Sequence, residues 1–294
     1  MQTIQVVCGP MHFRKDTDDN NFCFPDSQKV AYGTAVQYPI FTGCHNLDVN
    51  LEYVMHNLNF WKYHINREAE ATLHFAFQEL LDSERPKWWS SQLKQGVHKL
   101  GKQWKGSYAY VERYEIETLR SDPTNNEVIQ DVFAGEDSRS GCTFQDMTLE
   151  LVEEGAEFTW PRIFEHHLHA VTQPTSNAKT RAQKRCGSYE SINQYSSRSF
   201  HFSGDGKDVA EEFFASGWLN PLPEQQGIPG WQRMTMMKYF ENEAGFVDTA
   251  ALWAYEGVVL PGGQMILGRW WSPMDAYTEM YSGPFILWCV DGEA

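Results

Sequence analysis

The 294-residue chain predicts a mainly β fold, a closed antiparallel barrel of about eight strands with an N-terminal irregular and helical segment packed on it. Three observations carry this expectation. Aromatic side chains make up 14% of the sequence, a load that favours strands and deep pockets over solvent-facing coil. From Ser107 onward the apolar residues recur with a period of two, the mark of half-buried strands. Pro261-Gly262-Gly263 sits between two such stretches and supplies the positive backbone angles of a tight hairpin.

Residues 1–45 read as polar turns, Asp16–Asn21 and Pro25-Asp26-Ser27, between short apolar pieces such as Ile4–Val7 and Ala35–Phe41. Leu51, Val54, Leu58 and Trp61 follow a three-and-four spacing that predicts an amphipathic helix from about Leu47. A second helical stretch is expected from about Arg67 to Leu81, before Pro86. The predicted strands are Ser107–Ile116, Glu127–Phe133, Thr143–Val152, Ser199–Ser203, Gln232–Phe240, Ala250–Leu260, Gln264–Trp271 and Pro284–Asp291. That number is usual for a small ligand barrel. Gln173–Ser197 is polar and Ser-rich, so a long loop is expected there. Residues 1–95 then form the packed-on segment and residues 96–294 the barrel, in one globular unit.

Charge excludes one class of partner. The net charge of -15 repels phosphate backbones over most of the surface, so no nucleic-acid partner is expected. The basic cluster of Lys179, Arg181, Lys184 and Arg185 lacks the aromatic interleaving of single-strand binders and reads as a solvated loop. Six cysteines without a C-x-x-C pair argue against a zinc ribbon or a redox motif and read as free thiols. The N-terminus shows no signal-peptide pattern and no apolar run reaches bilayer length, so the expected setting is a reducing cytoplasm without membrane contact.

Gly101-Lys102-Gln103-Trp104-Lys105-Gly106-Ser107-Tyr108 resembles the opening strand of calycin barrels, the lipocalin and avidin group, where a Gly and then a Trp plug the closed end. Lipocalins place one residue between that Gly and Trp, whereas two stand here. Gly227–Phe240, Trp253–Gly263 and Leu267–Trp271 resemble a set of uncharacterised fungal barrel proteins of calycin or lipocalin-like type. The same wording resembles, more weakly, the barrel region downstream of some F-box motifs. Lipocalin-like Diels-Alderases of fungal secondary metabolism share the fold by analogy alone. The resemblance implies a pocket for a small hydrophobic molecule, and in calycins a late-strand arginine packs over the opening tryptophan; here those residues are Arg269 and Trp104, which would close the barrel end.

Glu165-His166-His167-Leu168-His169 has metal-ligand spacing on a strand, yet no distant ligand completes it, and packing or surface histidines are the simpler reading; no metal is expected. Nucleophile elbows, Cys-His pairs and phosphate-binding glycine loops are missing, and no cofactor is implied. Glu256, an acid among apolar neighbours, is explained by an ion pair with Arg269 or another arginine. Arg233, Thr235, Met237 and Tyr239 alternate on one strand face, opposite Met234, Met236 and Lys238. If the Arg233 face points inward, it offers a cation, a hydroxyl, a thioether and a phenol, a lining that polarises a carbonyl while holding an apolar body. Arg233, Tyr239 and Glu256 are therefore the candidate catalytic residues. Tyr110, Met237, Trp253 and Tyr255 are the candidate ligand-binding residues, although aromatic rows at strand spacing are more often core. The function expected on these grounds is binding of a small hydrophobic metabolite in a barrel pocket, with cofactor-free cyclase or isomerase chemistry; the alternative is a protein-interaction module without catalysis.

Overall fold

The computed structural model describes residues 23–70, 72–87, 93–94, 100–122, 124–129, 144–152, 164, 199–208, 211–273 and 281–291. Helix α1 (Phe24–Tyr32) begins where a turn is expected from the sequence. Pro25 occupies its first turn, where the missing N–H costs nothing, so the Pro-Asp-Ser run starts a helix instead of breaking one. A two-stranded pair, β1 (Phe41–Thr42) and β2 (Asp48–Val49), leads into α2 (Leu51–Asn66), whose first turn is capped by Asn50 accepting from the Tyr53 amide at 3.2 Å. The predicted stripe of Leu51, Val54, Leu58 and Trp61 is buried, extended by Ile65. Helix α3 (Thr72–Glu79) follows a short 3₁₀ turn, within the predicted second helical stretch.

The barrel strands are β3 (Gln103–Tyr108), β4 (Gln145–Leu151), β5 (Phe200–Asp208), β6 (Glu211–Pro221), β7 (Gln232–Glu241), β8 (Val247–Val259), β9 (Met265–Trp271) and β10 (Ser282–Cys289). Each pairs antiparallel with its neighbour in sequence, and β10 closes on β3 through pairs such as Phe285 with Tyr108 and Cys289 with Trp104. The result is an up-and-down eight-stranded barrel without a free edge. The β8–β9 connection is the predicted hairpin, with Gly262 and Gly263 at φ 97° and 71°.

Two expected strands differ, and one strand was not expected. The strand predicted over Ser107–Ile116 ends at Tyr108, and Arg113–Ser121 forms helix α4, held by a capping box between Glu112 and Glu115. Over residues 127–129 there is no strand; the Gln28 side chain donates to the Glu127 carbonyl and accepts from the Ile129 amide, both at 3.0 Å, satisfying the backbone as a neighbouring strand would. Strand β6 was not among those expected. The Ile4–Val7 piece, the 173–197 loop and the basic cluster lie outside the described residues.

Along each barrel strand alternate residues fill the lumen. Met234, Met236 and Phe240 of β7 join Trp104, Phe202, Phe213, Leu219, Trp270 and Phe285 in one interior cluster. Glycines make room for the rings: a Cβ on Gly217 would lie 2.3 Å from the ring of Phe202, and one on Gly268 would lie 2.6 Å from that of Phe285. The outer wall is apolar too, since Leu260, Met265, Leu267, Ile286 and Trp288 pack against the N-terminal helices. Asn57 of α2 donates to the Gly268 carbonyl at 3.0 Å, and Trp288 donates to the Glu84 carbonyl at 2.7 Å. Strand β7 is consequently buried on both faces.

Cys23 and Cys289 carry free thiols, but Cys44 is disulfide-bonded, which corrects the reading of all six cysteines as free. The expectation of a reducing compartment loses its cysteine argument, because disulfides persist in oxidising surroundings. Among the described residues no helix is long and apolar enough to cross a membrane.

Candidate functional site

The barrel wall divides the predicted site residues between two compartments. Tyr110, Trp253 and Tyr255 belong to the lumen. Arg233, Glu256, Met237, Tyr239 and Arg269 point outward, so the inward face of β7 is the one bearing Met234, Met236 and Lys238. This reverses the orientation that would have placed Arg233, Thr235 and Tyr239 around a lumenal ligand. A one-residue shift in which face is inward exchanges every lining residue.

Trp104 and Tyr108 lie near opposite ends of β3, and so toward opposite ends of the lumen. Trp104 is buried in the interior cluster, against which Leu100 also packs, and its indole donates to the Gly101 carbonyl at 2.7 Å. Trp104 was expected to close the barrel end with Arg269 packed over it, but Arg269 does not stack on it. Arg269 stands on the outer face, with its guanidinium carbon 5.1 Å from the centre of the Tyr53 ring and one N–H donated to the Tyr38 carbonyl at 2.9 Å.

At the other end the rings are only partly covered and form a cup. Trp270 is its centre: Trp253 and Tyr108 meet it edge-on at 5.4 and 5.9 Å, and Tyr110 stacks at 6.4 Å. Tyr281 continues the stack on Tyr110 at 6.2 Å. Burial, with Glu112 and Tyr281 adding to it, pushes the Tyr110 phenol above its ordinary pKa and holds it protonated at neutral pH. Lys238 lies at the wall of this cup, 2% exposed, its ammonium 4.2 Å from the Phe213 ring centre and 5.4 Å from that of Tyr108. An ammonium held over ring faces is stabilised by their quadrupoles. Lys238 is the functional candidate that sequence reasoning did not single out. Its signal was a lone cation inside the apolar run Met234–Phe240, pointing to the same side as two buried methionines.

The outer compartment is a cleft of about 340 Å³ between the β7–β9 wall and residues 34–46. Thr235, Glu256 and Arg269 stand directly opposite one another on the three adjacent strands, in one row across the wall. Glu256 accepts a hydrogen bond from the Arg233 guanidinium, so the acid pairs with an arginine as the sequence implied, and with Arg233 rather than Arg269. Tyr239 and Met237 lie farther along the outer wall, packed with Phe164 and Leu252, away from the cleft. Burial, offset by a hydrogen bond with Ser216 and reinforced by Glu241, raises the Tyr239 pKa and leaves it a neutral phenol of the packing.

The histidine motif at residues 165–169 lies outside the described residues, and among those described no group of three His, Cys, Asp or Glu side chains is placed to hold a metal. The strands define a closed eight-stranded up-and-down barrel, a size whose interior is filled by side chains or holds one small ligand. Protein-family models, curated proteins and solved structures give no match to this chain.

Proposed function

We propose that this protein is a calycin-like barrel that holds a small, apolar, ring-bearing molecule in the aromatic cup at its open end, with an oxygen of that molecule facing Lys238. The observation that carries the reading is the cup itself: partly covered Tyr108, Tyr110, Trp253 and Tyr281 around Trp270, with a buried cation in its wall. Ring edges and faces supply contact area, and a polar group in the wall fixes orientation, the usual division of labour in a ligand site.

Cofactor-free cyclase or isomerase chemistry, if the cup performs it, rests on Lys238 donating to a developing oxyanion and on the phenols of Tyr108 and Tyr110. Arg233 and Glu256 stand on the other face of the wall and take no part in it. The test is fluorescence titration with the neutral dye N-phenylnaphthylamine on wild type, Trp253→Ala and Lys238→Met. Saturable enhancement that weakens about tenfold in Trp253→Ala is expected, a loss equivalent to one good ring contact. A folded protein that does not enhance the dye, or a Trp253→Ala variant that binds it as well as wild type, overturns the proposal.

A further inference from the structure

The outward cleft carries features that packing alone does not require. Arg233, Thr235 and Arg269 are 7%, 4% and 4% exposed, and all three line it. Among the described residues the Arg233 Nε, the Arg269 Nε and the Thr235 Oγ1 are buried with no hydrogen-bond partner. Leaving such a donor unpaired costs about 1–3 kcal/mol, and more for a charged group, so three in the lining of one cleft call for a partner. The guanidinium groups are held in place by other contacts. Arg269 is fixed by the Tyr38 carbonyl and the Tyr53 ring, and Arg233 by Glu256 and by the Phe41 ring, 4.8 Å from its guanidinium carbon. Two cations against one carboxylate make the cleft locally positive in a chain of net charge -15. Ile40, Phe41 and Trp271 give it apolar sides.

We infer that this cleft is a second binding site, separate from the lumen, for a small molecule with one carboxylate and a compact apolar body. The carboxylate takes the free N–H groups of the two arginines and the Thr235 hydroxyl, and the body lies against Ile40, Phe41 and Trp271. Planar forked donors match the two oxygens of a carboxylate. The volume of about 340 Å³ falls at the small end of ligand pockets and suits a molecule of one ring. Glu256 competes with the ligand for Arg233; its side chain is 22% exposed and free to turn toward water when the ligand arrives.

The experiment is calorimetric titration of the full chain with benzoate and with its neutral isostere benzamide, on wild type, Thr235→Val and Glu256→Gln. Benzoate binding at millimolar concentration is expected, with benzamide about tenfold weaker for want of the charge-assisted bonds. Thr235→Val, which keeps the shape and removes only the hydroxyl, weakens benzoate, and Glu256→Gln strengthens it by removing the competing anion. A purely structural arginine pair would give the opposite result for Glu256→Gln, a less stable protein with no gain in affinity. Equal binding of benzoate and benzamide, benzoate affinity indifferent to both substitutions, or no benzoate binding by folded protein overturns the inference. Formate binding as tightly as benzoate overturns the part assigned to the apolar body. Because the cup and the cleft lie on opposite faces of the wall, dye binding and benzoate binding succeed or fail separately.

Discussion

Glu256→Ala removes one partner of an ion pair whose other member is almost buried. The Arg233 and Glu256 side chains are 9% and 22% exposed, and Arg233 also faces the Phe41 ring, so the guanidinium has little water to turn to. Breaking a fully buried pair costs about 3–5 kcal/mol because it strands a charge. Here the carboxylate borders an open cleft, which lets water replace part of it, and the expected loss is about 1–3 kcal/mol. For a chain of this size that is a fall in melting temperature of about 2–10 °C. Urea unfolding followed by tryptophan fluorescence measures the free energy directly, with an unchanged slope showing that the same surface is exposed. The double replacement Arg233→Met, Glu256→Met removes both charges together and is expected to recover to within about 1 kcal/mol of wild type. A loss below about 0.5 kcal/mol in Glu256→Ala, the range of ordinary surface changes, refutes the claim that the pair is buried against the N-terminal segment. So does a double variant as unstable as the sum of the singles.

Gly217→Ala is expected to destabilise by about 1–3 kcal/mol, because the new Cβ would meet the Phe202 ring at 2.3 Å and the Thr235 carbonyl oxygen at 2.4 Å. Adding Phe202→Leu relieves only the ring, so urea unfolding of the double variant should still show a deficit. Acidification should also weaken the fold through His56. Burial, opposed by Glu52 and Asp26, lowers its folded pKa, so the unfolded chain takes up the proton first. The stability tied to the neutral ring is therefore fully present above the unfolded value of about 6.5 and is lost as pH falls through the window between that value and the folded one. Unfolding curves across that window should show the slope, and His56→Gln, which cannot gain the proton, should flatten it.

The sequence made the closed barrel legible because seven of its eight strands announce themselves by alternation or by a turn. Strand β6 did not. Phe213, Ala215, Gly217 and Leu219 do alternate inward, but Phe214 and Trp218 between them are large and apolar as well, which hides the period. The run Ser107–Ile116 shows the reverse error, since its alternation passes without a break from strand β3 into helix α4. Only the Glu112–Glu115 spacing marks the boundary there, and glutamate is a weaker start signal than serine or threonine. Glu127–Ile129 has strand-like composition and strand-like hydrogen bonds, but its partner is the side chain of Gln28, about a hundred residues earlier, which no local pattern reveals.

The site was less legible for a different reason. Alternation identifies the inner face of a barrel strand only when the outer face meets water, as in a strand that reads apolar and polar by turns. Here the N-terminal helices and residues 34–46 cover the β7–β9 wall, so both faces are buried and the hydrophobic pattern carries no sign. Polar residues then decide the orientation, and they point both ways. Arg233, Thr235, Glu256 and Arg269 are polar because they line an outer cleft, and Lys238 is polar within an aromatic lumen. The same three strands thus serve two compartments through alternate residues. Gly257 and Gly268, paired across β8 and β9, sit next in sequence to Glu256 and Arg269, and any side chain at Gly268 would strike the backbone of Glu256 or Gly257 at 2.1–2.6 Å. Close packing at that point ties the cleft's row of charges to the rings of the lumen, where Phe285 already lies against both glycines.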